Sequence, residues 1–207
     1  MTRLREAVVT WAAAGTDAST AGVYARELAV AVTLRTVVLV EGVSDQVAVE
    51  RLAIRRGRDL AAEGVCVVPL GGATSIGRFL TLLGPRALDV AVAGLCDLAE
   101  QAFFDRALER AGLASEGFFV CDADLEHELI RAVGLAGVET VIEAQGDLRA
   151  LRTFQRQPAQ RSRSSEDQLH RFMGSIGGRK ARYAGALVDA LELDRVPQPL
   201  DDLLAHV

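Results

Sequence analysis

The sequence predicts an α/β domain in which helices cover both faces of a four-stranded parallel sheet, with further helices before and after it. Two observations predict this fold. Four short apolar runs rich in β-branched residues alternate along the chain with amphipathic stretches of helical length, an alternation that is typical of parallel sheets. The runs are apolar at nearly every position, as expected of strands that are buried on both faces.

The first predicted element is helical. Residues 1–34 are rich in alanine and predict one or two helices. Thr16–Thr20 is a polar break between them, with Ser19 or Thr20 as the candidate N-cap. The four predicted strands follow in the order Thr36–Val40, Val65–Pro69, Asp89–Gly94 and Gly117–Cys121.

A helix is predicted after each strand. These helices span about Ser44–Arg56, Thr74–Leu83, Leu98–Ala111 and Asp124–Val133. After Gly146 the pattern is wholly helical apart from a predicted loop at Gln157–Ser165, and two helices follow at Glu166–Met173 and Arg179–Leu193. We therefore predict an N-terminal helical segment (1–34), an α/β domain (35–146) and a C-terminal helical extension (147–207) that carries Lys180.

Composition excludes several classes of protein. Half of the 207 residues are hydrophobic, which allows a sizeable buried core. The apolar runs are far shorter than the roughly 20 residues of a membrane span, and the charged start does not resemble a signal peptide. We therefore expect a cytoplasmic protein without a membrane partner. The three cysteines lack zinc or disulfide spacing, the three histidines show no ligand spacing, and His127 is interpreted as structural.

Charge is distributed unevenly along the chain. The net charge is −5, but residues 149–182 carry nine basic and two acidic residues. An acidic body with a basic arm suits a metal site that attracts a polyanion, although a solvated basic face without a partner would show the same pattern. The 23 basic residues are all arginine except Lys180.

Carboxylates follow three of the predicted strands. Glu41 directly follows the first strand, Asp97 comes three residues after the third, and Asp124 and Glu126 come shortly after the fourth. Ligands of an open parallel sheet bind at the carboxyl ends of its strands, and clustered carboxylates repel unless a cation neutralises them. Oxygen ligands at this density suit one or two Mg²⁺ or Mn²⁺ ions. Single aspartates also serve as helix caps, but capping does not explain Glu41.

The motif Val40-Glu41-Gly42-Val43-Ser44-Asp45 resembles the opening motif of TOPRIM domains, which are Rossmann-like. The second motif of that superfamily, Asp-x-Asp, corresponds to Asp97-Leu98-Ala99, so Ala99 stands where a second aspartate is expected. Residues 35–190 are most similar to nucleases of the OLD (overcoming lysogenization defect) type. That similarity is carried by Gly71-Gly72 leading to Phe79-Leu80, by Asp124–Ile130, and by the lysine in Gly177–Ala184.

The resemblance implies a metal-dependent nuclease that hydrolyses DNA phosphodiester bonds by a one- or two-metal mechanism. It implies Glu41 and Lys180 as catalytic residues, with Lys180 stabilising charge on the phosphate. The implied metal ligands are Glu41, Asp45, Asp97 and Glu126, with Asp124 and Glu100 as further members. The implied contacts to nucleic acid are Arg179, Arg182, Arg161 and Arg163.

Several alternatives stay open at this point. Ala99 is compatible with a non-catalytic module that binds nucleic acid or a protein partner, and nucleotidyl or phosphoryl transfer would use the same metal chemistry. RNA instead of DNA, an ATPase partner in trans and a homodimer are also compatible with the sequence. The glycine-rich segment Gly71–Gly77 lacks the lysine and the spacing of a P-loop, so we predict no ATP site in this chain.

Overall fold

The computed structural model describes residues 1–13, 18–85 and 87–207. Its parallel sheet has the strand order β2-β1-β3-β4, with β1 at Thr36–Val40, β2 at Val65–Pro69, β3 at Ala91–Asp97 and β4 at Phe118–Cys121. The helices that come before β4 are α1 (Thr2–Ala13), α2 (Ala18–Ala31), α3 (Val43–Arg55), α4 (Ile76–Leu83) and α5 (Gln101–Ala111). The later helices are α6 (Leu125–Val133), α7 (Leu135–Ala144), α8 (Leu148–Gln155), α9 (Ser165–Met173), α10 (Arg179–Ala190) and α11 (Gln198–His206). The predicted α/β fold with a four-stranded parallel sheet is confirmed.

Both faces of the sheet are buried. In β1, Val38 and Val40 belong to a hydrophobic cluster that includes α3, α6, α10 and α11. Val37 and Leu39 point the other way, into a cluster that includes α1, α2, α4 and α5. Successive strand side chains point to opposite faces, so a strand covered on both faces must be apolar at every position.

Strand β3 differs most from its prediction. It begins at Ala91 and continues to Asp97, whereas the sequence predicts Asp89–Gly94. Gly94 does not end the strand, because a Cβ there would lie 2.5 Å from the carbonyl oxygen of Leu39 and 2.7 Å from the Phe118 ring. The glycine is therefore required by close packing within the strand. As a result, Asp97 is the last residue of β3 and pairs with Cys121.

The helix predicted at Arg179–Leu193 ends at Ala190, and the starts of α2 and α5 also differ from prediction. The predicted break at Thr16–Thr20 lies partly outside the described residues, and α2 already begins at Ala18, so Ser19 and Thr20 lie within the helix. The helix predicted from Leu98 begins only at Gln101. Residues 98–100 form a turn instead, which places Glu100 at the N-cap of α5.

Helix α10 lies along α3 and fixes the position of Lys180. The two helices approach closely at Gly185, where a Cβ would lie 3.2 Å from Val47 Cγ1. Arg55 at the end of α3 donates hydrogen bonds to the carbonyl oxygens of Val188 and Leu191, each at 2.5 Å. The domain boundaries at residues 34 and 146 stay predictions of the sequence. Within the described ranges, no helix is long and apolar enough to cross a membrane.

Candidate metal centre

A cleft of about 300 Å³ opens at the carboxyl ends of the strands. It is lined by residues from β3, α3, α6 and α10 and from the loops that follow β1 and β2 and precede α6. These residues are Glu41, Gly42, Ser44, Asp45, Gly71, Gly72, Asp97, Asp124, Glu126 and Lys180. The cleft therefore brings together five of the six predicted metal ligands and the predicted catalytic lysine.

The tip of β1 is held by the Gly71-Gly72 turn. The backbone amides of both glycines donate to the carbonyl oxygen of Glu41, at 3.1 and 3.2 Å. Gly71 and Gly72 have φ angles of +70° and +120°, a backbone region that residues other than glycine rarely adopt. The glycine pair therefore serves to fix the backbone of Glu41 at the cleft.

Asp45 lies in the first turn of α3, where its Oδ2 accepts a hydrogen bond of 2.8 Å from the Gly42 amide. Burial, followed by the charge of Glu126, raises the pKa of Asp45 to about 7. Helix capping thus explains the position of Oδ2 only. In this buried and acidic surrounding, a cation would favour the ionised form of Asp45.

Asp97 lies beside Glu41 across the β1–β3 pair. Burial, then the charge of Glu41 and a hydrogen bond between the two carboxyl groups, raise the pKa of Asp97 to about 8. The two side chains are therefore close enough to share a proton. A cation between them would replace that proton, because an opposite charge favours the ionised form of a carboxyl group.

Glu126 is the most unusual residue of the cleft. Its side chain is 3% exposed, and neither carboxylate oxygen has a hydrogen-bond partner among the described residues. Lys180 Nζ lies 3.0 Å from Oε2 as an ion-pair partner, and Oε1 has no polar partner among the described residues. Buried carboxylates are normally paired and hydrogen-bonded. An unsatisfied carboxylate in an acidic cleft fits a ligand for a hard divalent cation.

Lys180 is the cation that this cleft itself provides. Its side chain is 46% exposed. Burial alone would lower the pKa of Lys180, but Glu126, and then Asp45 and Asp124, raise it. The ammonium group therefore stays charged at the edge of the cleft, next to the carboxylates rather than among the arginines of the basic arm.

Asp124 is held by two histidines. It is the N-cap of α6, and its Oδ1 accepts hydrogen bonds from the His127 amide at 2.8 Å and from His127 Nδ1 at 2.9 Å. Its Oδ2 lies 2.7 Å from His170 Nε2. Burial alone would raise the pKa of Asp124, but the bonds from His170 and the His127 amide hold that pKa below its ordinary value.

The three side chains of Asp124, His127 and His170 offer possible metal-ligand atoms within 4.8 Å of one another. The sequence does not reveal this group, because the pattern around His127 is that of a structural histidine and His170 lies 46 residues from Asp124. Ser44, which is buried in the cleft wall, was also not singled out. Each of these residues is unremarkable until the fold brings it to the strand ends.

The remaining predicted site residues lie outside the cleft lining. Burial and the charge of Glu41 raise the pKa of Glu100, which places it near the cleft edge. Arg179 stacks over the Phe172 ring at 4.3 Å and donates to the Phe172 carbonyl oxygen. Arg182 donates to Asp147. Arg161 and Arg163 are exposed in the loop before α9.

We expect the metal-free protein to lose stability as pH rises from about 4 to about 8. The folded-state pKa values of Asp45 and Asp97 are raised from 3.8 to about 7 and about 8, so the folded protein binds these protons more tightly than the unfolded chain. The free energy of unfolding therefore falls between the ordinary and raised values and levels off above them. The lowered pKa of Asp124 acts only at more acidic pH.

Thermal unfolding in EDTA at several pH values would measure this slope. Asp45→Asn combined with Asp97→Asn should flatten it, and saturating Mn²⁺ should oppose it because the ion replaces the protons. A melting temperature that stays constant or rises across this range in EDTA would contradict the proposed environment of the two aspartates.

Residues 34–98 match the family model described as the TOPRIM domain of overcoming lysogenization defect protein-like sequences. The predicted resemblance to the OLD-like TOPRIM domain is confirmed. The OLD-like TOPRIM match spans β1 to β3 and includes Glu41, Asp45 and Asp97. No curated protein sequence matches the chain.

Solved structures extend the similarity beyond the OLD-like TOPRIM match. The C-terminal region of the Burkholderia pseudomallei OLD protein is 25% identical, with a TM-score of 0.64 over 84% of this chain and 96% of that one. The C-terminal region of the Xanthomonas campestris pv. campestris OLD protein is 26% identical, with a TM-score of 0.65 over 84% and 92%. The similarity thus covers more of the chain than the family model does.

Proposed function

We propose that the protein is a metal-dependent nuclease that hydrolyses DNA phosphodiester bonds at the acidic cleft. The observation that carries this proposal is Glu126, a buried carboxylate that lines the cleft with four other carboxylates and whose polar partner among the described residues is Lys180. The similarity to OLD-type TOPRIM domains supports the same type of site. Mg²⁺ and Mn²⁺ are the proposed ions, because all five acidic groups offer oxygen ligands.

The residues of the cleft would have two separate roles, metal binding and stabilisation of charge on the phosphate. Glu41, Asp45, Asp97, Asp124 and Glu126 would hold one or two ions. A bound divalent ion supplies Lewis-acid chemistry, in which it neutralises phosphate oxygens and makes water a better nucleophile. Lys180 places a fixed positive charge at the mouth of the cleft, where it would stabilise the charge that builds up on the phosphate during hydrolysis.

The exposed arginines before α9 are the proposed contacts to the DNA backbone. Arg161 and Arg163 lie on a loop whose side chains are exposed, and such contacts weaken steeply with salt because they release counterions. Arg179 and Arg182 are ion-paired with Asp147, whereas Arg161 and Arg163 donate through Nε to backbone carbonyl oxygens of the same loop region. We therefore assign backbone contacts first to Arg161 and Arg163.

Supercoiled plasmid DNA provides the direct test of the proposed activity. We expect the purified protein to nick it with Mn²⁺ or Mg²⁺ but not with EDTA, and Glu41→Ala to fall to the EDTA background because a ligand at the tip of β1 is lost. The control is Glu143→Ala, which removes an exposed carboxylate from α7 and should leave nicking unchanged. Absence of nicking with both ions across a range of salt concentrations would overturn the proposal.

A non-catalytic nucleic-acid-binding module is the second candidate, and Ala99 is the observation that favours it. The residue lies in the turn after Asp97, where the TOPRIM pattern has a second aspartate, and alanine offers no ligand. In that case DNA binding in a gel-shift assay would be the same in EDTA and in Mn²⁺, and Glu41→Ala would bind as the wild type does. The nuclease proposal expects DNA cleavage to require both the ion and Glu41.

A further inference from the structure

The carboxylate of Asp124 lines the cleft but already accepts three hydrogen bonds from within the protein. An ionised carboxylate only accepts hydrogen bonds and has about four lone-pair positions. Oδ1 accepts two bonds, from the amide and from Nδ1 of His127. Oδ2 accepts one, from Nε2 of His170. One lone pair, on Oδ2, is left for a cation, so Asp124 is restricted to binding through a single oxygen atom.

Both histidines are built into the fold at fixed positions. His127 lies in the first turn of α6, next to the Asp124 N-cap. His170 comes from α9, whose Leu169, Phe172 and Met173 are buried in the core. The two imidazole rings stack with a centroid distance of 3.7 Å and an angle of 23°. Neither ring lines the cleft, so each acts on the cleft only through Asp124.

We propose that His127 and His170 are positioning residues that fix Asp124 as a single-oxygen ligand of the metal cleft. This inference rests on the proposed metal-dependent function. The two imidazoles hold both carboxylate oxygens from different helices, so the side chain cannot rotate about its last bond. Groups that hold a metal ligand by hydrogen bonds in this way typically contribute about 10–100-fold to metal affinity.

The same three residues could instead bind a metal by themselves, but the ring geometry argues against it. In-plane lone pairs of two nearly parallel stacked rings run side by side instead of converging on one ion. Both ring nitrogens that face Asp124 must also donate a proton, because the ionised carboxylate cannot donate. A nitrogen that carries a proton has no lone pair for a metal. The hydrogen-bonded arrangement therefore fits the positioning role better than direct ligation.

Mn²⁺ binding to the purified full chain, measured by calorimetry without DNA, tests the proposal through matched variants at one position. His170→Leu removes the donor, and we expect Mn²⁺ to bind about 10–100-fold more weakly. His170→Gln places an amide donor near the position of Nε2, so it should restore most of the affinity. Thermal unfolding in EDTA should show that both variants fold, and His127→Asn against His127→Phe repeats the comparison at the other ring.

The outcomes separate this inference from the proposed nuclease function. Equal Mn²⁺ affinity in the wild type and His170→Leu overturns the positioning role while leaving the nuclease proposal standing. Equal loss in His170→Leu and His170→Gln also overturns it, because an amide donor does not replace a ligating imidazole. Weakened binding that glutamine rescues supports the inference, even if no variant cleaves DNA. A wild type that binds no Mn²⁺ overturns both.

Discussion

In Glu126→Gln, we expect Mn²⁺ binding and metal-dependent DNA cleavage to be lost while the metal-free protein becomes more stable. Glutamine keeps the shape of the side chain but removes its negative charge. A buried polar group without hydrogen bonds costs about 1–3 kcal/mol, and more when it is charged. Neither oxygen of Glu126 has a hydrogen bond from the described residues, and glutamine would leave that unchanged. It would remove the charge, and with it the repulsion between Glu126 and Asp45 that the wild type carries until a cation binds.

The loss of the ion pair with Lys180 opposes this gain but is the smaller effect. Removing one partner of a buried pair is usually destabilising because the other charge stays buried and unpaired. Here the remaining partner is 46% exposed, so the ammonium group can return to water. We therefore expect a small net gain in the free energy of unfolding in EDTA, which would raise Tm by about 2–4 °C per kcal/mol.

Thermal unfolding in EDTA and in Mn²⁺ measures both parts of the Glu126 prediction. The wild type should gain about 2.7 kcal/mol at an ion concentration of 100 times Kd, and Glu126→Gln should gain nothing. Glu128→Gln is the matched control, since Glu128 lies two residues later in α6 and accepts a bond from the Asp122 amide. A less stable Glu126→Gln protein with unchanged Mn²⁺ binding would show that Glu126 is a structural residue.

Much of the fold follows from local pattern. The bounds of β1 and β2 are readable because a strand buried on both faces is apolar throughout, with Glu41-Gly42 after β1 and with Gly64 and Pro69 at the ends of β2. β3 is not, because Gly94 has the appearance of a strand end. Only its neighbours in space, Leu39 and Phe118, show that a small residue is needed there. The contact that decides the strand boundary is non-local, and no window of sequence contains it.

The candidate site, like the fold, is only partly predictable from the sequence. Carboxylates at strand tips are predictable, because a parallel sheet brings those tips to one edge. Burial of Glu126, its proximity to Lys180 and the contact of His170 with Asp124 are not, since they depend on how α6, α9 and α10 pack together. Lys180 was noticeable as the single lysine of the chain. Its position at the cleft is a consequence of α10 lying along α3.

The ion pair between Lys180 and Glu126 has a further consequence for catalysis. Under the proposed function, Lys180 and a metal ion would compete for the Glu126 carboxylate. The lysine would pair with Glu126 in the metal-free protein and would become available to the substrate when an ion binds. A residue of this kind should affect the chemical step strongly and metal binding little. The metal ligands should affect both.

In Lys180→Ala, we accordingly expect cleavage to fall by about 10²–10³-fold, the usual cost of removing one preorganised group that stabilises transition-state charge. Mn²⁺ should bind at least as tightly as in the wild type, because the competing ammonium group is gone. In EDTA the variant should be less stable, since the 3%-exposed Glu126 loses its counter-charge, and Mn²⁺ should raise its Tm by more than in the wild type.

Arg26→Ala removes the same charge from an exposed position on α2 and should change none of these quantities. Glu126→Gln and Lys180→Ala thus shift the metal-free Tm in opposite directions; a shift in the same direction, or weaker Mn²⁺ binding in Lys180→Ala, would contradict the competition between lysine and metal.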